Sequence, residues 1–447
     1  VRRGALALAA LLLVPIPAGA SLVRRGPEPF SVASLAAWEG RTVTSVGQRG
    51  RSVTRDYVVT REIRTAVGAP LDLIVLDGDL RRLANLSVFS DIRVEAAEDG
   101  ASGVAITFVF KESPAYVPFV SFTYTEENGF SIGPSLSALN VQGRALRLSG
   151  RAYWGGTNQY WASVDWPWAF GDTPHPVNLL VAHRNRTDEL RGFEESSDEV
   201  TTRVGRYFAG DRGRASANLS LFNMRSDVVG ITLSDDLSDH LLRAGFTVGL
   251  DTRDSWRDPR RGWQSELQVW RTTALDGPAD SWSADLDLRR WIPTATRQKL
   301  LLSSLLTVQS GALGVDVPSY LDYRIGGANS VRGYAVDDLG DDLSGKNQLL
   351  GTAEYSFTVM PVRRWDIAFL SFAVGLELAV FGDAGIAWSE GRQFALDRAR
   401  GGVGSGIRLL VPGTEMVRFD VGWSPDSGFH FHFASGAKPV AQRNRLR

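Results

Sequence analysis

The chain has 447 residues, 46 of them glycine and none cysteine, which excludes disulfides and thiolate metal ligands. Lysine plus arginine (49) balance aspartate plus glutamate (50), and a formal net charge of −1 gives no general attraction to nucleic acid or anionic lipid. The length alone would allow two or three domains, although barrels often run longer as single units.

The N-terminus has the anatomy of a secretory signal peptide. Arg2 and Arg3 precede an apolar run from Ala5 to Val14, and the small triplet Ala18-Gly19-Ala20 predicts cleavage near Ser21. Residues 1–20 are assigned to this signal and 21–42 to a linker. No later segment reaches 18 nearly uncharged apolar residues, which argues against helical membrane spans.

Residues 43–113 read as a small α+β domain in the order β-α-α-β-β. TVTSVGQRG predicts a strand and turn, and VTRDYVVTREIRTAVG carries apolar residues at helical spacing up to a stop at Gly68. LDLIVLDGDLRRLANLSVFSD predicts a second helix with Leu80, Leu83 and Leu86 on one face. SDIRVEAAED and GVAITFVFKE predict paired strands around a polar turn at Glu98 to Gly103. The segment has no nucleophile–base pair and no glycine-rich strand-to-helix turn. It reads as a protein-binding module, and an exposed edge strand would suit an extended peptide.

After Pro114 the pattern changes to period two. In MVRFDVGW, Val417, Phe419, Val421 and Trp423 fall on one face, opposite Arg418, Asp420 and Gly422. FHFHF sets Phe429, Phe431 and Phe433 against His430 and His432. SWSADLDLRRW sets Trp282, Ala284, Leu286 and Leu288 against Asp285, Asp287 and Arg289. Aromatics cluster near strand ends, as with Tyr153, Trp154, Tyr160, Trp161, Trp166 and Trp168. A soluble sandwich would hide its apolar face and limit exposed aromatics. A transmembrane barrel gives both features a cause, with apolar side chains toward lipid, polar ones toward the lumen and aromatic belts at the interfaces. No fixed-period repeat supports a solenoid or propeller. At roughly 20 residues per strand and turn, residues 114–433 hold about sixteen antiparallel strands.

This combination resembles the BamA/TamA superfamily of outer-membrane assembly and translocation proteins, which also contains two-partner secretion transporters. In that superfamily, periplasmic POTRA domains precede a sixteen-stranded barrel. The front segment is similar to a single POTRA domain, including LANLSVFSDIRVE and the closing FVFKESP. GLDTRDSWRDPRRGW (Gly249 to Trp263) resembles a family strand and turn. SVRGYA matches the Val-Arg-Gly-Phe/Tyr motif of a long extracellular loop that folds back into the barrel, at Arg332, Gly333 and Tyr334. VFGDAG matches a Phe-x-Asp-x-Gly motif on a lumen-lining strand, at Phe381, Asp383 and Gly385. GVGSGIRLLVPGTEMVRFDVGW is also similar to the family ending.

The resemblance implies a latch, and the residue chemistry agrees with it. Arg332 offers a rigid five-donor fork that a carboxylate engages bidentately, and alternation turns Asp383 toward the lumen. Gly333 allows tight turning beside the contact, and Tyr334 packs on the wall. The function implied is non-enzymatic: a POTRA-like domain receives unfolded or extended outer-membrane or secreted clients in the periplasm, and the barrel inserts or secretes them. Outer-membrane lipid is a partner, a separate periplasmic or secreted protein is a further candidate, and nucleic acid is not expected. No nucleotide, metal or redox cofactor is implied. His430 and His432 share a face but lack a spaced third ligand, so lumen polarity is preferred to a metal site. A passive porin or surface adhesin is the alternative. A partnered lipid hydrolase would have to be a separate enzyme, because no Gly-x-Ser-x-Gly elbow is present. The basic tail, 434–447, departs from the family ending, in which the last strand closes on an aromatic residue such as Phe433.

Overall fold

A computed structural model describes residues 32–435, apart from 87, 126–127, 171–174, 189–190, 210–211, 255–258, 337, 339–342, 368–369, 390–393 and 411–415. The expected signal peptide, the linker up to residue 31 and the tail from residue 436 lie outside the described residues.

The front domain comprises a 3₁₀ turn (Ala33–Trp38), β1 (Thr42–Arg49), α1 (Asp56–Thr60), α2 (Leu73–Asn85), β2 (Phe89–Asp99) and β3 (Gly103–Glu112). The sheet order is β1-β3-β2, with β1 parallel and β2 antiparallel to β3. Asp72 caps α2 by accepting from the Ile74 and Val75 amides. Leu76, Leu80 and Leu83 on that helix are buried against Val43, Val58, Ile106 and Phe108, while Leu86 is only partly buried.

The first helix is shorter than its apolar spacing predicts, ending at Thr60 rather than Gly68. The cause is Asp79 on α2, whose buried carboxylate accepts from Arg64 N (2.8 Å), Thr65 N (3.0 Å) and Thr65 Oγ1 (2.6 Å). Amides satisfied by a side chain no longer need helical carbonyls. Gly68, at φ +86°, instead makes the turn that sends its N–H to Val43 O.

The barrel begins with β4 (Tyr116–Thr125), β5 (Gly129–Val141), β6 (Leu146–Gly155), β7 (Thr157–Trp166) and β8 (Val177–Asp188). It continues with β9 (Phe193–Phe208), β10 (Gly213–Ser226), β11 (Ser238–Asp251), β12 (Gly262–Ala274), β13 (Asp280–Ala295) and β14 (Gln298–Gln309). A long loop follows, held at its base by the two-residue strands β15 (Tyr323–Arg324) and β16 (Ser344–Gly345). The last strands are β17 (Asn347–Ile367), β18 (Leu370–Trp388), β19 (Arg400–Leu410), β20 (Val417–Ser424) and β21 (Gly428–Ser435).

Leaving aside β15 and β16, β4 to β21 form one 16-stranded antiparallel meander. Its first and last strands, β4 and β21, approach one another but share no ladder among the described residues. Alternation has the expected sense. On β20, Arg418, Asp420, Gly422 and Ser424 are buried inward, while Phe419 and Trp423 are exposed on the outside. Among the described residues no helix is long and apolar enough to cross a membrane.

The aromatic cluster at β6 and β7 divides between the faces. Trp154 and Tyr160 are exposed, the indole N–H donating to the phenol at 2.8 Å. Tyr153 and Trp161 turn the other way, with the Arg151 guanidinium over both rings at 5.4 and 4.9 Å. Strand parity overrides membership of a belt here, and a cation makes the inward rings useful.

An arginine-centred candidate site inside the barrel

The loop between β14 and β17 turns inward at Gly326 and Gly327, whose φ values of +127° and +85° favour glycine. Ile325, Val331, Tyr334 and Leu343 then pack on Leu305, Leu350 and Ala387 of the wall. This apolar footing delivers Arg332, which is 0% exposed, to the inner faces of β17 to β20.

Arg332 donates from Nε to Asp383 Oδ2 (2.7 Å), from Nη2 to Asp383 Oδ1 (3.0 Å) and from its backbone N to Oδ2 (3.1 Å). Nη1 reaches Glu354 Oε2 and Asp420 Oδ2, each at 3.1 Å. The Phe381 ring lies under the guanidinium, with its centroid 3.2 Å from Cζ. Thr352 Oγ1 donates to Asp383 Oδ1 at 2.8 Å and orients the acceptor.

Sequence reasoning pointed to one acid, and the structure supplies a six-charge cluster. Arg408 on β19 donates to Glu354 through Nε (3.0 Å) and Nη2 (2.7 Å), and to Asp420 through Nη1 (2.5 Å). Arg418 on β20 stands 3.5 Å from Asp420 and donates to the loop at Ala328 O (3.3 Å) and Asn329 Oδ1 (2.7 Å). Three guanidiniums thus face three carboxylates, Glu354, Asp383 and Asp420, all buried. Such a balanced cluster contributes modest net stability but is costly to break at one member.

The backbone around Arg332 sits directly on the wall because the wall lacks side chains there. A Cβ on Gly402 would overlap the Arg332 carbonyl oxygen, and one on Gly422 would lie 2.7 Å from the Arg332 carbonyl carbon. Gly333 has φ +105°; its N–H donates to His432 Nε2 (3.2 Å) and its carbonyl accepts from Ser424 Oγ (2.7 Å). Tyr334 is buried and donates to Asp426 Oδ2 at 3.0 Å. A Cβ on Gly385 would press on Leu350 Cδ2 (2.7 Å) and Val331 Cγ2 (2.9 Å). Arg332, Gly333, Tyr334, Phe381, Asp383 and Gly385 therefore converge on one place. Among the described residues no group of three or more His, Asp or Glu is arranged to hold a metal.

At the other end of the barrel the front domain docks on three turns. Arg55 N donates to Gly143 O (3.0 Å) and Arg55 Nε to Gln142 O (3.1 Å), while Asn140 Nδ2 donates to Thr54 Oγ1 (2.7 Å). Ala145, from the same β5–β6 turn, is buried in the front-domain core. Arg61 covers Trp168 of the β7–β8 turn at 4.0 Å, and Arg81 Nη1 donates to Asp254 O of the β11–β12 turn at 3.0 Å. Glu112 organises the docking segment by accepting from Ser52, Val53 and Thr54. Its partial burial opposes ionisation, but the hydrogen bonds from Thr54 and Ser52 outweigh it and hold the carboxyl at about 2.

A small α+β domain docked under a sixteen-stranded barrel, with an arginine-anchored loop inside, defines a POTRA-bearing barrel protein. The Omp85 superfamily domain matches residues 140–438, and the POTRA pattern described as the surface antigen variable number repeat matches residues 42–113. The chain belongs to the Omp85 superfamily, whose barrels lie in the outer membrane with their POTRA domains in the periplasm and serve protein insertion or secretion.

Among solved structures, the fold is similar to BamA from Haemophilus ducreyi lacking POTRA domains 1–3. The TM-score is 0.59 at 14% identity, covering 92% of this chain and 88% of that one. It is also similar to CdiB from Acinetobacter baumannii (TM-score 0.54, 15% identity, 89% and 73% covered). CdiB from Escherichia coli gives a TM-score of 0.55 at 14% identity, with 89% and 74% covered. A search of curated protein sequences finds no match.

Proposed function

We propose that this protein inserts client proteins into the outer membrane at the β4–β21 seam, without catalytic chemistry of its own. The observation that carries the reading is the seam itself, where among the described residues two neighbouring strands lack a shared ladder while every other neighbouring pair in the sheet has one. Unpaired strand edges are templates for another strand, so an extended client can pair there as it enters lipid. The POTRA-like domain would receive the client in the periplasm.

Passage along the barrel axis is less favoured. Beyond the Arg332 loop, Ile231 and Leu233 of the β10–β11 loop and Val317, Tyr320 and Leu321 of the long loop pack on Phe193, Phe222 and Leu241. Ser319 Oγ donates to Ile231 O (3.0 Å), joining the two loops, and Arg191 of the β8–β9 turn pairs with Asp322 of the long loop (2.5 Å). Secretion through the lumen would have to part these contacts.

Depletion followed by proteomics of the outer membrane and the secreted fraction tests the reading. Selective loss of several barrel proteins is expected. Loss of one exported partner with an intact outer membrane would instead establish secretion, and ion conductance with neither loss would establish a passive porin.

A further inference from the structure

We infer that His432 is a positioning residue that ties the Arg332 loop to the last strand, so that protonating it releases the loop and loosens the seam together. His432 lies on the inner face of β21 and is 3% exposed. Its Nε2 accepts the Gly333 N–H at 3.2 Å. A second polar link from β21 to the loop, His430 Nε2 to Asp338 Oδ2 at 3.1 Å, also runs through an imidazole. β21 is laddered to β20 over eight residues, Gly428–Ser435, and has no ladder to β4 among the described residues, so these inward links are a substantial part of its support.

The bond to Gly333 has a fixed polarity. A backbone N–H can only donate, so Nε2 must carry a lone pair, and a proton there sets donor against donor. The surroundings add to the effect. His432 is the register partner of Asp420, whose carboxylate is already shared by Arg332, Arg408 and Arg418. With a neutral imidazole the cluster holds three cations and three carboxylates. An imidazolium would be a fourth cation in a buried site and would repel Arg332.

Other titratable groups stand around His432. From the loop come Tyr334 and Asp338, the latter already engaged by His430 and by Ser427. From the β20–β21 turn comes Asp426, which accepts from Tyr334. From β18 comes Asp383, held by Arg332. The His430 ring stacks 6.2 Å away, and Tyr116 is the titratable side chain described on β4. The release belongs to His432. By linkage, drawing β21 away from the wall removes the Gly333 acceptor and weakens the loop in turn.

This inference rests on the seam reading, and its test uses no client, so failure of the insertion assay and failure of the coupling are separate results. Amide hydrogen exchange would be followed by mass spectrometry on the full chain in phospholipid nanodiscs at pH 7.5 and 5.5, corrected for intrinsic rates. Peptides spanning 329–336 and 428–435 are the readout. In the native protein, exchange in both segments should be roughly fivefold faster at pH 5.5 than at pH 7.5, the value of one hydrogen bond. His432→Gln keeps an acceptor that cannot titrate and should abolish the response while retaining protection. His432→Ala should expose both segments at both pH values. The inference is overturned if the native protein shows no acid response, if His432→Gln retains it, or if His432→Ala exposes the loop while β21 stays protected.

Discussion

Replacing Arg332 with methionine removes one cation from a buried set of three and three. Asp383 loses the two bonds from the guanidinium and keeps only the backbone N–H of residue 332 and the Thr352 hydroxyl, while Glu354 and Asp420 keep Arg408 but lose their share of Arg332. Leaving a buried carboxylate uncompensated costs roughly 3–5 kcal/mol, which corresponds to two to four powers of ten in the docking equilibrium of the loop. The cost should fall first on the loop and, through the uncompensated Asp383 on β18, lower the thermal stability of the barrel as well. Limited proteolysis and hydrogen exchange over residues 324–336 are the assay, with thermal unfolding of the barrel measured in parallel. Adding Asp383→Asn restores balance at two cations and two carboxylates. The double variant should regain barrel stability while its loop stays exposed. Native-like loop protection in Arg332→Met would refute the anchor, and a double variant no more stable than the single one would refute the charge argument.

Gly402→Ala should expose the loop about as fully as Arg332→Met while leaving every charge in place, since the new methyl overlaps the Arg332 carbonyl; the same protease assay reads it. Tyr334→Phe removes one bond to Asp426 and should cost about 0.5–1.5 kcal/mol, visible as a small rise in loop exchange without undocking. Glu112 has a folded-state pKa of about 2, below its ordinary 4.5. Its stabilisation is therefore complete above about pH 4.5 and is lost as pH falls toward 2. Glu112→Gln should remove about 1–2 kcal/mol once solvent screening is discounted. It should loosen the Ser52–Thr54 segment at pH 7, since only one of the two acceptor oxygens remains, and erase its acid dependence.

The barrel was legible because lipid and lumen impose a period of two, and a single strand such as Val417–Ser424 reports both faces. The fork of Arg332 and the inward parity of Asp383 were legible for the same reason. Glu354 and Arg408 were not. Arg408 lies opposite Arg418 in the β19–β20 register, a pairing that looks repulsive until Asp420 and Glu354 are placed around it. That placement depends on ladder offsets between strands far apart in sequence. A charge at an inward position of a glycine-rich strand, as in GSGIRLL, was the available signal. The early stop of α1 was hidden similarly, since Asp79 is a helix surface charge by spacing and a buried acceptor by tertiary packing. Ala145 joining the front-domain core could not be read from a turn sequence at all.

The two sides of the seam are braced by different parts of the chain. The front domain holds the β5–β6 and β7–β8 turns, on the β4 side of the sheet, and the β11–β12 turn at its middle. The Arg332 loop bonds to β17, β18, β20 and β21 and rests its backbone on Gly402 of β19, on the other side. If these braces are independent, loosening one leaves the other intact, and a client pulling on the front domain acts first on the β4 side. Trp168→Ala separates the possibilities. It removes the face under Arg61, worth roughly 0.5–2 kcal/mol, and should raise hydrogen exchange at residues 60–65 severalfold. Exchange over residues 329–336 should not change. A matching rise there would mean that docking and latch form one cooperative unit, and that force on the front domain reaches both edges of the seam at once.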